Sequence, residues 1–189
     1  DLVTCESWSH LTLNESFATY GEYLWKEHHY GKLYAERHLY KDFLKYLNDQ
    51  PWKPIVNFHY KHKEDMFDRH SYEKGGLVLH QLRRFLGDDA FFAGVKKYLT
   101  DHQFGTAEIH DLRMAFEEVT GLDLNWYFNQ WFFERGHPTL KITHSVQSDS
   151  LMVRIEQTQV KEGITLFDLP LTLSLYDGNV LRKQQVKVN

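Results

Sequence analysis

The chain has 189 residues, a formal net charge of −4, 42% apolar residues and 15% aromatic residues. That aromatic and apolar content excludes a disordered polypeptide. The acidic balance leaves no basic excess to neutralise a phosphate backbone, so nucleic acid is excluded as a partner. No run of about 18 apolar residues is present for a membrane span. The single cysteine, Cys5, cannot close an internal disulfide and is expected to be a small core residue. The chain starts at Asp1 with neither Met nor a signal-like stretch. It therefore reads as cut from something longer, which leaves cytoplasmic and exported locations both open, and its oligomeric state open as well.

Helical spacing comes first along the chain. Leu13, Phe17, Tyr20 and Leu24 recur at three- and four-residue steps from about Ser9 to Tyr30, with Gly31 as the stop. A second helix is expected over 32–48, with Leu33, Leu39, Phe43 and Leu47 along one side. Pro51 and Pro54 break the pattern, and the polar run His59 to Asp65 predicts a long loop over 50–70 with a short extended piece at Ile55–Phe58. Further helices are expected at 71–86, 89–102, 107–119 and 123–135, with Thr106 and Asp123 as N-caps and glycines near their ends. Beyond Pro138 the period changes to two. Strands are expected at Leu140–Val146, Leu151–Glu156, Leu169–Tyr176 and Val180–Val188, with turns at 147–150 and at Asp177-Gly178. The fold class is α+β, with a helical unit over 1–137 and a partial antiparallel β-unit over 138–189.

Three segments carry a resemblance. Val3-Thr4-Cys5-Glu6-Ser7-Trp8-Ser9-His10-Leu11-Thr12-Leu13-Asn14-Glu15-Ser16-Phe17-Ala18 resembles the third-ligand segment V-T-x-x-x-W-x-x-L-x-L-N-E-G-F-A of zinc aminopeptidases of the aminopeptidase N and leukotriene hydrolase family. Ser71-Tyr72-Glu73-Lys74-Gly75 resembles that family's Y-x-K-G segment, and Trp131 to Pro138 its W-x-x-x-x-G-x-P, after which members enter a β-sandwich. The resemblance implies the helical half of a thermolysin-like catalytic domain followed by part of that sandwich. It implies peptide substrates and one Zn²⁺, with Glu15 as the third metal ligand and Tyr72 as hydrogen-bond donor to the oxyanion of the tetrahedral intermediate. The family's H-E-x-x-H, which supplies the two histidine ligands and the general base, is absent from the 189 residues and would fall just before Asp1. Isolated residues 1–189 are accordingly expected to be inactive and to hold zinc poorly. Ser16 stands where the family commonly has Gly, His10 where it often has Asp, and Glu6 where a basic residue is common.

Other readings of the same residues stand beside this one. Without the motif, Glu15 is a first-turn carboxylate favoured by the helix dipole, and Tyr72 a half-buried aromatic. Glu22, two turns beyond Glu15, is expected on a solvated face. His28-His29 and His59/His62 lack a third donor at ligand spacing and are expected at the surface. Trp126, Phe128, Trp131, Phe132 and Phe133 are expected to form core and packing surface. The alternative functions are a non-catalytic helical interaction module, or an epoxide hydrolase on the same scaffold.

Overall fold

In helix α1, Thr12–Tyr30, the residues Thr12, Leu13, Ser16, Tyr20 and Tyr23 fall at helical spacing and are all buried. The coordinates are a computed structural model that describes residues 2–49, 52–148 and 150–189. Gly31, at φ 83°, ends α1 and at once begins α2, Lys32–Leu47. Only a residue without Cβ holds that left-handed conformation cheaply, which allows so short a connection. The buried stripe of α2 is Ala35, Asp42 and Tyr46. Leu33 and Phe43 of the apolar side are exposed, at 75% and 39%. Tyr46 sets the rotation of the helix by packing its ring edge-to-face on His70.

No strand forms at Ile55–Phe58. Ile55 and Val56 are buried, and the Val56 N–H bonds the Phe132 carbonyl (2.9 Å), so this loop is pinned from inside. Pro51, one of its expected breakers, lies outside the described residues. A π-turn at His70–Lys74 leads into α3, Gly75–Leu86, and α4 (Asp88–Asp101) and α5 (Ile109–Thr120) follow. Gly94 of α4 faces the ring of Phe116 in α5, where a methyl group would overlap the ring. A short α6, Asn125–Phe128, widens into a second π-turn, Asn129–Phe133, and Tyr127 anchors it by donating to the Val78 carbonyl (2.8 Å). Phe128, Trp131 and Phe132 are buried core, while Phe133 stacks on His110 and Trp126 meets the edge of Phe85.

Thr106 is not a cap. It pairs in β2, Thr106–Ala107, parallel to β1, Thr4–Cys5. Glu108 caps α5 in a capping box with Asp111, and buried His10 accepts the Ile109 N–H through Nδ1 (3.3 Å). Asp123 does accept the Asn125 N–H (2.9 Å) at the start of α6.

The backbone divides into two compact units, Asp1–Arg135 and Gly136–Asn189. In the second unit β3 (Leu140–Gln147) pairs with β4 (Ser150–Gln157), and β5 (Leu169–Asp177) with β6 (Val180–Val188), both antiparallel. They are separate hairpins rather than one four-stranded ladder. The Gln157 side chain links them, accepting the Phe167 N–H (2.9 Å) and donating to the Phe167 carbonyl (2.6 Å). Gln147 pairs with Ser150 across the first turn, whose Asp149 lies outside the described residues. Asp177 pairs with Val180 across the second, with Gly178 at φ 59°. Among the described residues no helix is long and apolar enough to cross a membrane.

Candidate functional site

Glu15 sits in the first turn of α1, half-buried. The residue before it secures its surroundings: Asn14 accepts the Cys5 N–H through Oδ1 (2.8 Å) and donates to Thr4 Oγ1 (3.3 Å). Asn14 thereby ties β1 to the start of α1. This is a physical reason for the Asn-Glu pair, because one side chain holds the wall and the next faces the opening. Glu15 lines a cleft of about 730 Å³ together with Cys5, Glu6, Asn14, Tyr60 and Phe67. Cys5 is therefore a half-buried cleft residue and not core, because β1 runs along the cleft wall. Partial burial pushes its thiol pKa up, so it is a poor nucleophile.

Tyr72 reaches the same place from another helix. Asp68 starts that helix, its Oδ1 accepting the N–H groups of His70 (3.0 Å) and Ser71 (3.1 Å). The chain then makes the π-turn His70–Lys74, with Tyr72 at its centre. Such one-residue widenings re-aim side chains and recur at functional sites. The Glu15 carboxylate faces the Tyr72 hydroxyl closely enough to raise its pKa. Partial burial and that facing carboxylate push the phenol up to about 12, so it is a protonated donor at neutral pH.

The two helices meet with little between them. Gly75 and Gly76 face α1, and a Cβ at Gly75 would overlap Ser16 Oγ. Ser16 donates to the Ser71 carbonyl (2.7 Å), and Thr12 Oγ1 is hydrogen-bonded to Ser16 Oγ. Lys74 is buried, with its Nζ 5.7 Å from the Tyr46 ring centre. Desolvation lowers its pKa to about 7, offset in part by the Asp68 charge.

A second group of donors, Asp49, Asp68 and His70, also converges. Its geometry does not favour a metal. His70 Nε2 accepts the Lys53 N–H (3.3 Å), which leaves the ring proton on Nδ1, 3.3 Å from Asp68 Oδ2. That carboxylate is also paired with Lys53 Nζ at 2.7 Å. The group buttresses the turn that carries Tyr72.

The remaining expected residues fall away from the site. Glu22 is exposed and pairs with Lys26 (2.9 Å) and His38 (3.4 Å), a solvated face. His28, His29, His59 and His62 are exposed. Sequence reasoning missed Asp68, Asn14 and the Ser16–Ser71 bond. Asp68 three residues before Ser71 is a cap spacing that could have been found. The Ser16–Ser71 bond joins distant segments, and nothing local announces it.

Known proteins resemble this chain in sequence and in fold. The profile of the Peptidase family M1 domain matches residues 1–131. Aminopeptidase N of Streptomyces lividans is 31% identical over 100% of this chain and 24% of its own length. An M1 zinc metallopeptidase structure from Deinococcus radiodurans, an E323A mutant bound to a Tyr-Ser-Ala substrate, superposes with a TM-score of 0.64 at 27% identity. The match covers 74% of this chain and 31% of that one. The crystal structure of Legionella pneumophila aminopeptidase A in complex with aspartic acid matches in fold, with a TM-score of 0.76 at 20% identity over 100% of this chain and 21% of its own. The chain thus spans about a quarter of the length of the curated relative quoted.

Proposed function

This chain belongs to the peptidase M1 family, and from that membership we propose that it supplies Glu15 as one ligand of a zinc site, and Tyr72 as the oxyanion donor, to an aminopeptidase acting on peptide N-termini. One observation carries the reading. A carboxylate and a phenol from separate helices meet beside an open cleft, at the positions of the two motifs.

The residues present fit one corner of a metal site. Glu15 offers a half-buried oxygen donor that faces a neutral phenol, so acceptor capacity remains. Among the described residues no cluster of three donors includes Glu15. Zn²⁺, when bound, supplies Lewis acidity that polarises a carbonyl and acidifies water.

Tyr72 acts on the substrate. Its hydroxyl is a protonated donor, placed by a capped helix, next to the carboxylate that marks the metal position. As negative charge develops on the scissile carbonyl oxygen, the phenol turns a hydrogen bond towards it. That interaction strengthens in the transition state and so lowers the barrier. The β-hairpins of 136–189 are read as part of the sandwich that follows an M1 catalytic domain.

Zinc content tests the ligand role. In the intact protein Glu15→Ala is expected to lose bound zinc and hydrolysis of aminoacyl p-nitroanilides together. Retention of stoichiometric zinc by Glu15→Ala would overturn it.

A further inference from the structure

We propose that Ser16 is a positioning residue: its hydrogen bond to the Ser71 carbonyl sets the register between Glu15 and Tyr72. The proposal rests on the function assigned to those two residues above.

Where α1 meets the end of the π-turn, α3 opens on two glycines with no side chain of their own to interlock. Gly75 and Gly76 lie against α1 at Ser16 and Thr19, and the nearest atoms to a Cβ at Gly75 are Ser16 Oγ, Ser16 Cβ and Thr12 Oγ1. Smooth surfaces of this kind bring helices close without fixing how far one slides along the other. A directional bond supplies what shape does not.

The Ser16–Ser71 bond is placed for that role. Ser16 directly follows Glu15, and Ser71 directly precedes Tyr72. Ser16 Oγ donates to the Ser71 carbonyl at 2.7 Å. Its proton being committed there, the contact with Thr12 Oγ1 is one in which Thr12 donates and Ser16 accepts. The hydroxyl of Ser16 is thus held by a donor on one side and an acceptor on the other. Thr12, Ser16 and Ser71 are 1%, 1% and 0% exposed, so water does not compete for these groups. Loss of the Ser16 hydroxyl leaves a buried carbonyl short of a donor beside the turn that aims Tyr72. Small misplacements of a catalytic donor are costly in rate while substrate binding is little changed.

The test is a double-mutant cycle in the intact enzyme, with kcat, KM and bound zinc measured for Ser16→Ala, Tyr72→Phe and the pair. Ser16→Ala is expected to lower kcat by about ten- to a hundred-fold, with KM and zinc content little changed. In the Tyr72→Phe background the same change is expected to alter kcat by less than about two-fold, because there is no longer a hydroxyl to aim. Thr12→Val, which removes the donor that orients Ser16, is expected to act in the same direction with a smaller loss and the same dependence on Tyr72, and it replaces Ser16→Ala should that variant not fold. Equal losses in both backgrounds, an unchanged kcat, or loss of zinc would overturn the positioning role alone. Full activity in Tyr72→Phe would overturn the tyrosine's function and the positioning role with it.

Discussion

Helices α1 and α3 meet in two places, and the two meetings use polar groups in opposite ways. Towards the far end, Tyr20 and Tyr23 of α1 face His80 and Arg83 of α3. Arg83 donates to Glu27 (2.6 Å) and twice to Asp88 (2.8 Å each), and Tyr20 hydrogen-bonds His80 at 3.2 Å. Every charge there has an opposite charge at hand. Burial and the neighbouring Arg83 and Arg84 hold the His80 ring down to about 4, so it stays neutral. Near the start of the helices the pattern reverses. Glu15 faces a phenol, Lys74 Nζ is buried without an acceptor among the described residues, and the backbone takes a π-turn. One contact closes its polar network; the other sets a carboxylate on a cleft wall and buries an ammonium. On the proposed function, stability lives at the first and chemistry at the second, as expected where functional sites break rules that the rest of a fold obeys.

Substitutions sharpen this contrast. Arg83→Ala is expected to cost about 3 kcal/mol, because it strands Glu27 and removes the bond that joins α1 to the α3–α4 connection. Chemical denaturation measures that loss, and the intact enzyme should keep its kcat at temperatures where it stays folded. A large kcat effect without loss of stability would erase the distinction between the two contacts.

Lys74→Met is expected to stabilise the chain by about 2 kcal/mol at pH 7. Its effect depends on pH. The folded ammonium titrates near 7, well below the ordinary lysine value of 10.5. Between those values the unfolded chain holds the extra proton, so stability rises as pH rises from about 7 towards 10, while below pH 7 the cost of burying the charge is present in full. Thermal denaturation across that range should show the rise in the parent chain and a flatter profile in Lys74→Met. Glu22→Gln should change stability by less than about 0.5 kcal/mol, since it removes only an exposed pair on the solvated face of α1. A larger loss would mean that Glu22 supports the site through α1.

Much of this was legible in the residues. The apolar spacing from about Ser9 to Tyr30 (α1 forms from Thr12), the stop at Gly31, the change of period after Pro138 and the Asp177-Gly178 turn all correspond to elements that form. Several features escaped. The π-turns add one residue to a helical turn, which leaves three- and four-residue spacing almost unaltered, so Tyr72 reads as sitting at an ordinary helix start. The parallel pairing of Thr4–Cys5 with Thr106–Ala107 is two residues long, too short for alternation to show. On α2, amphipathic spacing fitted Leu33 and Phe43, yet tertiary packing chose Asp42 and Tyr46. At the site, Glu15 and Tyr72 were found through motif resemblance, whereas Ser16 stood out only as a departure from a glycine. Its bond to Ser71 depends on how two distant segments dock.

The most direct measurement is kcat for Tyr72→Phe in the intact, zinc-loaded enzyme on an aminoacyl p-nitroanilide. A phenol that donates to the developing oxyanion predicts a fall of about 100- to 1000-fold with zinc content and KM nearly unchanged. A kcat within about two-fold of the parent would contradict the account and leave Tyr72 a packing residue on a turned helix.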